Sequence, residues 1–498
     1  LYMVTADSAG NLATTDIPVR GSDTIYEIIT NNEATSVGSG ALASNKNSTA
    51  IGVNSNAAGI NSTVIGYKSN ASGSNATAVG FNSLASGDNA LAIGMSSRST
   101  DINSIALGKN SSSTGSNSIG IGPSSNAEAT QSIAIGLGSQ SLGNSSIALG
   151  YNSNASEAFS LAMGRNAQAT GESSIAFGVG ANSASINSIA MGKTAQATGF
   201  GSLAFGVGTN ASSPESVAIG LGAQSTGRSS LALGYNSNAS KSFSIAMGRS
   251  AQSTGDGAIA FGLQANASEN FSLAIGRNAQ STEDSTIAFG IDSNASEAFA
   301  LAMGRNAQAS GSSSISLGLL ANATGPQAVS IGLKSQATGA SSFALGYNTV
   351  ASDDFAVAVG YNAQSIGNSS LAIGVGSNAS NSFSVALGRD ARASDVSAVS
   401  IGYGSNASAK SSVAIGLRSQ ATGVSSMSVG YNSRATSNFA LALGYNTTAS
   451  SKSALAIGVQ ANASNEGAIA MGRLSQSGGE SAVSVGYEAN AADTDAVA

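Results

Sequence analysis

The chain has 498 residues, of which only 9% are charged, with a formal net charge of −6 and no His, Cys or Trp. A balance this weak gives no argument for electrostatic capture of nucleic acid or anionic lipid, and the lack of cysteine excludes disulfides and thiol chemistry. Much of the 41% hydrophobic content is alanine, so a compact core of this size could not be filled.

Residues 1–31 differ in pattern from the rest of the chain. Tyr2-Met3-Val4-Thr5-Ala6, a turn at Ser8-Ala9-Gly10-Asn11 and Leu12-Ala13-Thr14-Thr15 predict a hairpin, and this piece is expected to act as a connector or cap. It resembles the short connector ahead of repeat segments in some phage tail fibres. Leu1-Tyr2-Met3-Val4 lacks the charged and apolar regions of a signal peptide, and no apolar stretch is long enough to cross a membrane.

From residue 32 to 498 one period rules. Thirty-three glycines stand fourteen residues apart between Gly38 and Gly486, among them Gly52, Gly66, Gly80, Gly94, Gly108, Gly136, Gly150 and Gly164. A fixed short period without insertions marks a solenoid. Fourteen residues are too few for a helical repeat and enough for two short strands and two tight turns, so an all-β parallel roll is predicted. The period asks for a further glycine two places after Ala498, so the sequence is expected to be a piece of a longer protein.

Within a coil such as Asn103-Ser104-Ile105-Ala106-Leu107-Gly108, aliphatics alternate with small residues, as in Ile133 and Ile135 around Ala134. A weaker strand comes next, as in Ser153-Asn154-Ala155-Ser156. The simplest packing puts the aliphatics inside against the small side chains of the second strand. The Ala/Ser/Gly face then lies outward as a chain-to-chain contact. The reverse assignment, with aliphatics at the contact and small residues inside, stays open.

A second glycine stands seven residues after the first at Gly59, Gly73, Gly143, Gly171, Gly199, Gly227, Gly339 and Gly423, where a positive φ is expected. Seven coils replace it and carry phenylalanine two residues later: Phe159, Phe243, Phe271, Phe299, Phe355, Phe383 and Phe439. Two turn designs are inferred, one closed by glycine and one held by a packed aromatic. Asn and Gln alternate from Asn154 and Gln168 to Asn238 and Gln252, and Arg249, Arg277 and Arg305 recur every second coil. Relief of like-charge repulsion between coils and duplication of a two-coil unit explain this equally well.

The strings Asn103-Ser104-Ile105-Ala106-Leu107-Gly108, Asn187-Ser188-Ile189-Ala190-Met191-Gly192 and Ala195-Gln196-Ala197-Thr198-Gly199 resemble the head repeats of YadA-like trimeric autotransporter adhesins. The resemblance covers roughly 32–498. It implies a left-handed parallel β-roll, a side-by-side homotrimer, and an extracellular, cell-surface role in attachment to a host surface protein or glycan. The neck, coiled-coil stalk and membrane barrel usual in that family have no counterpart in this sequence.

Catalysis lacks His and Cys, and the acids are scattered at turns, Asp353-Asp354 and Glu283-Asp284 included, so no enzyme is expected. No cofactor or metal is expected either, since the calcium-binding Gly-Gly-x-Gly-x-Asp repeat is absent. Asn-Ala-Ser at Asn70, Asn154, Asn238, Asn266, Asn294, Asn378, Asn406 and Asn462 matches a glycosylation acceptor pattern but equally suits a strand edge and turn. The residues read as a fibre segment presenting a repetitive polar surface. A phage or injection-system tail fibre of the same fold is one alternative, and a monomeric ice- or carbohydrate-binding solenoid is another.

Overall fold

The computed structural model describes residues 2–6, 12–16, 28–31 and 33–498, in two compact units, Leu1–Asn236 and Ser237–Ala498. The first begins with β1 (Tyr2–Ala6) and β2 (Leu12–Asp16), paired antiparallel with Val4 opposite Thr14, as the sequence predicts. The turn expected at Ser8–Asn11 lies outside the described residues. Next, β3 (Ile28–Asn31) runs antiparallel to β4 (Ala34–Val37), and β4 pairs in parallel with β6 (Thr49–Ile51) across the two-residue β5 (Leu42–Ala43).

From there each unit is a parallel β-solenoid of 14-residue coils. Every coil contributes a three-residue strand to one sheet and a two-residue strand to the other. In the first unit Ile105–Leu107 pairs with Ile119–Ile121, Ile105 beside Ile119 and Leu107 beside Ile121, while Ser112–Ser113 pairs with Asn126–Ala127. In the second, Leu301–Met303 pairs with Ile315–Leu317 and Gln308–Ala309 with Asn322–Ala323. A register of fourteen stacks like on like, which is why the sequence repeats at that interval.

The ladder continues through the turns. The N–H of Asn110 donates to the Met95 carbonyl at 2.8 Å and that of Asn117 to the Ile102 carbonyl at 2.8 Å; Leu320 and Ser313 bond Arg305 and Ala298 in the same way at 2.9 and 2.8 Å. So short a coil therefore leaves few backbone groups unpaired, and this compensates for a thin core.

The first turn explains the invariant glycine. Gly108 has φ 137°, a region open only to glycine, and a Cβ there would lie 2.6 Å from the Gly122 carbonyl carbon. The second glycine has a different role from the one expected. Gly143 has no positive φ; a Cβ on it would strike the Glu157 carbonyl carbon at 2.1 Å, so close approach of the next coil selects it. The left-handed residue of that turn comes two places later, at Asn117, Ser145 or Phe159.

The core reverses the simplest packing. Ala106, Ser104, Ser111 and Ser113 are wholly buried, as are Ala302, Ala307 and Ala309 in the second unit, while Ile105 and Leu107 are only half-buried. The interior is narrow: Val64, Thr209, Thr286, Thr349 and Thr447 are the largest side chains wholly buried among the described residues. At Gly120, which takes the place of the buried alanine, a Cβ would already approach the Ser112 carbonyl oxygen to 2.7 Å. Two turns this tight leave little room between the sheets, so methyls and hydroxyls fill most of the roll and the aliphatics flanking them point out. Many hydroxyls inside are paired, although Ser62, Ser125, Ser132, Ser202, Ser316 and Ser484 have no partner. Ser113 and Ser118 share a hydrogen bond at 2.5 Å, and Ser118 donates to the Gly115 carbonyl at 2.6 Å.

Candidate assembly and attachment surfaces

Because the coils stack in register, each side-chain position becomes a row. The aliphatics three and one before the glycine form two outward rows on the longer-stranded sheet. The residue just after the glycine adds a third, with Met95, Leu137, Tyr151 and Val207 in the first unit and Leu263, Ile291, Tyr347 and Val375 in the second. Even aromatics lie open in this face: Phe177 is 46% and Phe289 47% exposed. The third row stacks. Tyr67 and Phe81 lie 5.3 Å apart and 14° from parallel, and Tyr347–Tyr361 and Tyr431–Tyr445 are each 4.9 Å and 9°. The two strand rows, with a third interrupted by Lys109, Lys193 and six arginines, exceed the scattered apolar exposure of ordinary monomers and mark an interaction face.

The sequence held a signal for it. The alternation at three and one before the glycine runs on in phase to the residue after it, which is already in a turn. A bulky residue in a turn, in phase with the strand aliphatics, places all of them outside.

The other faces are polar. In the first unit Asn47, Asn61, Asn75, Asn89, Asn103 and Asn117 occupy the left-handed place of the second turn and bond side chain to side chain at 2.9–3.0 Å. The outward row of the shorter-stranded sheet alternates Asn and Gln. Asn154 is half-buried and its Oδ1 has no hydrogen-bond partner, as in Asn294 and Asn322 of the second unit, while Gln168 and Gln308 project. A shallow hollow of about 440 Å³ lies among Gln264, Asn278, Gln280, Asp292, Ser293 and Asn294, with Asn278 donating to Asp292 at 2.8 Å. Asp292 is the one carboxylate in the lining, and Ser293 donates to the Gly290 carbonyl at 3.0 Å.

Charges sit on this surface sparsely. Lys452 Nζ meets Glu466 Oε1 at 2.9 Å, and this hydrogen bond, with the charge of Glu466, raises the lysine pKa above its ordinary value. Tyr487 is likewise raised by its bond to Glu488. Among the described residues no three acids gather into a metal-binding group.

The period glycines Gly52, Gly66, Gly80, Gly94, Gly108, Gly136, Gly150 and Gly164 all lie in the first turn, with φ between 131° and 142°. The seven phenylalanines all lie in the second. They are not packed into the chain as inferred: Phe159, Phe243, Phe271, Phe299, Phe355, Phe383 and Phe439 are 59–71% exposed, with φ between 54° and 60°. The physical reason is again the narrow roll, whose turn has no pocket to receive a ring.

The model of the YadA head domain repeat, which spans two copies of the repeat, matches sixteen consecutive segments, from 30–55 through 141–167 and 309–335 to 449–475. The chain belongs to the YadA-like head-repeat family of trimeric autotransporter adhesins. None of the curated proteins compared with it matches. The two-copy segments coincide with pairs of coils, so each match is one 28-residue step of the ladder. Membership makes these YadA-like coils a structural and adhesive fibre segment, of a family found outside the cell or on its surface.

Proposed function

We propose that this chain trimerises through its aliphatic sheet face and presents its polar rows to a host surface protein or glycan. The observation that carries the proposal is the outward apolar band, which a single chain leaves in water. At ~25 cal/mol per Å² of apolar surface removed from water, a band repeated in every coil supplies a driving force that grows with coil number. A monomeric ice- or carbohydrate-binding solenoid would have no use for it. Weak contacts of Asn, Gln, Ser and Thr, repeated along three chains, give attachment by multivalency. Residues 1–31 serve as connector and cap, a reading supported by the antiparallel β3 along the edge of the first parallel strand, where unpaired groups invite aggregation.

Light scattering during size exclusion tests assembly: a mass three times that of the chain is expected, and a monomer at micromolar concentration overturns it. Binding of that trimer to immobilised host matrix, compared with a shortened array of the same coils, tests attachment. Affinity should rise steeply with coil number, and equal binding by both would refute multivalent attachment.

A further inference from the structure

The seven exposed phenylalanines come with a correlated partner that they cannot reach within the chain. Six residues after each stands a planar, polar-tipped side chain: Arg165, Arg249, Arg277, Arg305, Tyr361, Arg389 and Tyr445 succeed Phe159, Phe243, Phe271, Phe299, Phe355, Phe383 and Phe439. Of the six arginines found just after a period glycine, only Arg473 lacks a phenylalanine before it. Where arginine is absent after a phenylalanine, tyrosine stands at Tyr361 and Tyr445, a residue that also takes this place in seven coils without the phenylalanine, so the correlation is carried by the five arginines.

The structure separates each pair. Phe299 ends the second turn, Leu301–Met303 forms the strand, and Arg305 stands in the next first turn, so the two flank opposite edges of one sheet. At roughly 3.3 Å per residue they are on the order of 15–20 Å apart. All seven phenylalanines and all seven partners are exposed. The phenylalanines are also held in the left-handed region, which is unfavourable for a bulky residue, although Asn117, Gly257 and Ser313 show that cheaper residues fit the same place. Strain kept at seven equivalent sites calls for a partner outside the chain.

We infer that the partner is a second copy: at each corner of the trimer, the phenylalanine of one chain stacks on the arginine or tyrosine of the next. This rests on the trimer proposed above. Three sheets with their aliphatic faces inward meet edge to edge, the second-turn edge of one against the first-turn edge of its neighbour. That is a heterologous contact closed into a ring. Because Phe299 and Arg305 flank one strand of one coil, three-fold symmetry without axial shift brings them to nearly the same height. Arginine and tyrosine share the property the contact needs, a flat face for an aromatic ring. Glu157, Glu269 and Glu297, two residues before their phenylalanines, add a carboxylate near the incoming arginine, whereas Lys241 takes that place before Phe243.

The absence of native cysteine makes the test clean. The full chain carrying Phe299→Cys and Arg305→Cys is treated with a short bis-maleimide and run on a denaturing gel, with its native mass measured alongside. A covalent trimer is expected from the pair, and no cross-link from Phe299→Cys alone, Arg305→Cys alone, or Phe299→Cys with Arg249→Cys, which lies four coils away, about 19 Å along the ladder. The pair Phe271→Cys and Arg277→Cys gives the same answer should the first fail to fold. A trimeric mass with no cross-link from either pair, or with cross-linking by Phe299→Cys alone, overturns the edge contact and leaves the trimer standing. A monomeric mass overturns both.

Discussion

Ser316 is wholly buried, and its Oγ has no hydrogen-bond partner. The same place two residues before the period glycine holds serine at Ser330, Ser400 and Ser428, and there each hydroxyl meets another five residues on, Ser335, Ser405 and Ser433, at 2.6 Å. Five residues after Ser316 the chain has Ala321. One missing hydroxyl therefore accounts for the orphan, and Ser484, with Ala489 five residues on, repeats the case.

A buried hydroxyl without a partner costs about 1–3 kcal/mol. Ser316→Ala should recover most of that, since alanine fills this place at Ala302 without strain. Ala321→Ser should also stabilise, by supplying the bond seen at Ser335, which further donates to the Gly332 carbonyl at 3.1 Å. The two gains must not add. Once Ser316 is alanine, a serine at 321 has only a carbonyl to bond, and the double variant should gain about 1 kcal/mol less than the sum. Long repeat arrays do not unfold in one step, so the assay is native-state hydrogen exchange at the amides of Ile315, Gly318 and Ala321. Slower exchange in each single variant is expected. Faster exchange in Ser316→Ala would show that the hydroxyl contributes a bond, and would refute the pairing rule.

Three further outcomes rest on the same geometry. Ala302→Leu, which forces a large side chain into the closed interior, should destabilise its coil by about 1–3 kcal/mol, while Met303→Ala on the outward face should leave exchange in that coil nearly unchanged and weaken self-association; the opposite ranking would restore the aliphatics to the inside. Gly304→Ala combines a φ of 139° with a Cβ 2.3 Å from the Gly318 carbonyl oxygen, so loss of protection in both coils, worth more than about 2 kcal/mol, is expected from hydrogen exchange. Thermal unfolding should be flat from about pH 6 to about pH 9. A pKa raised in the folded state contributes stability below the unfolded value and loses it as pH rises through the folded one, so the raised Lys452 and Tyr487 act only at the alkaline end; a midpoint that moves within the window would expose a titrating group the fold has hidden.

The architecture was legible because backbone pairing alone dictates it. Gly108 stacks on Gly122 whatever lies between, and a register of fourteen forces like residues into rows. Direction was not. Alternation at Ile105-Ala106-Leu107 says that the two faces differ, and hydrophobicity alone assigns the larger side chains to the interior. What decides is the room between the two sheets, a property of the turns, and the 2.7 Å approach at Gly120 shows how little a methyl leaves, with Val64 the largest side chain admitted in that row. The phenylalanines were misread for the same reason: Phe271 looks like a turn anchor, but its ring only lies over Gly257 of the preceding coil and 71% of its surface stays open.

These two failures share one cause. A narrow roll holds few of its own large apolar residues, so the large side chains other than Val64 are displaced to a surface. A 14-residue coil with a wider interior would need longer turns and would bury Ile105 and Leu107 in itself. In the trimer proposed above, tight turns instead commit the hydrophobic content of each coil to the neighbouring chain. On this view folding and assembly of a YadA-like head draw on one and the same set of residues, Ala and Ser closing the chain and Ile, Leu and Phe joining it to its copies.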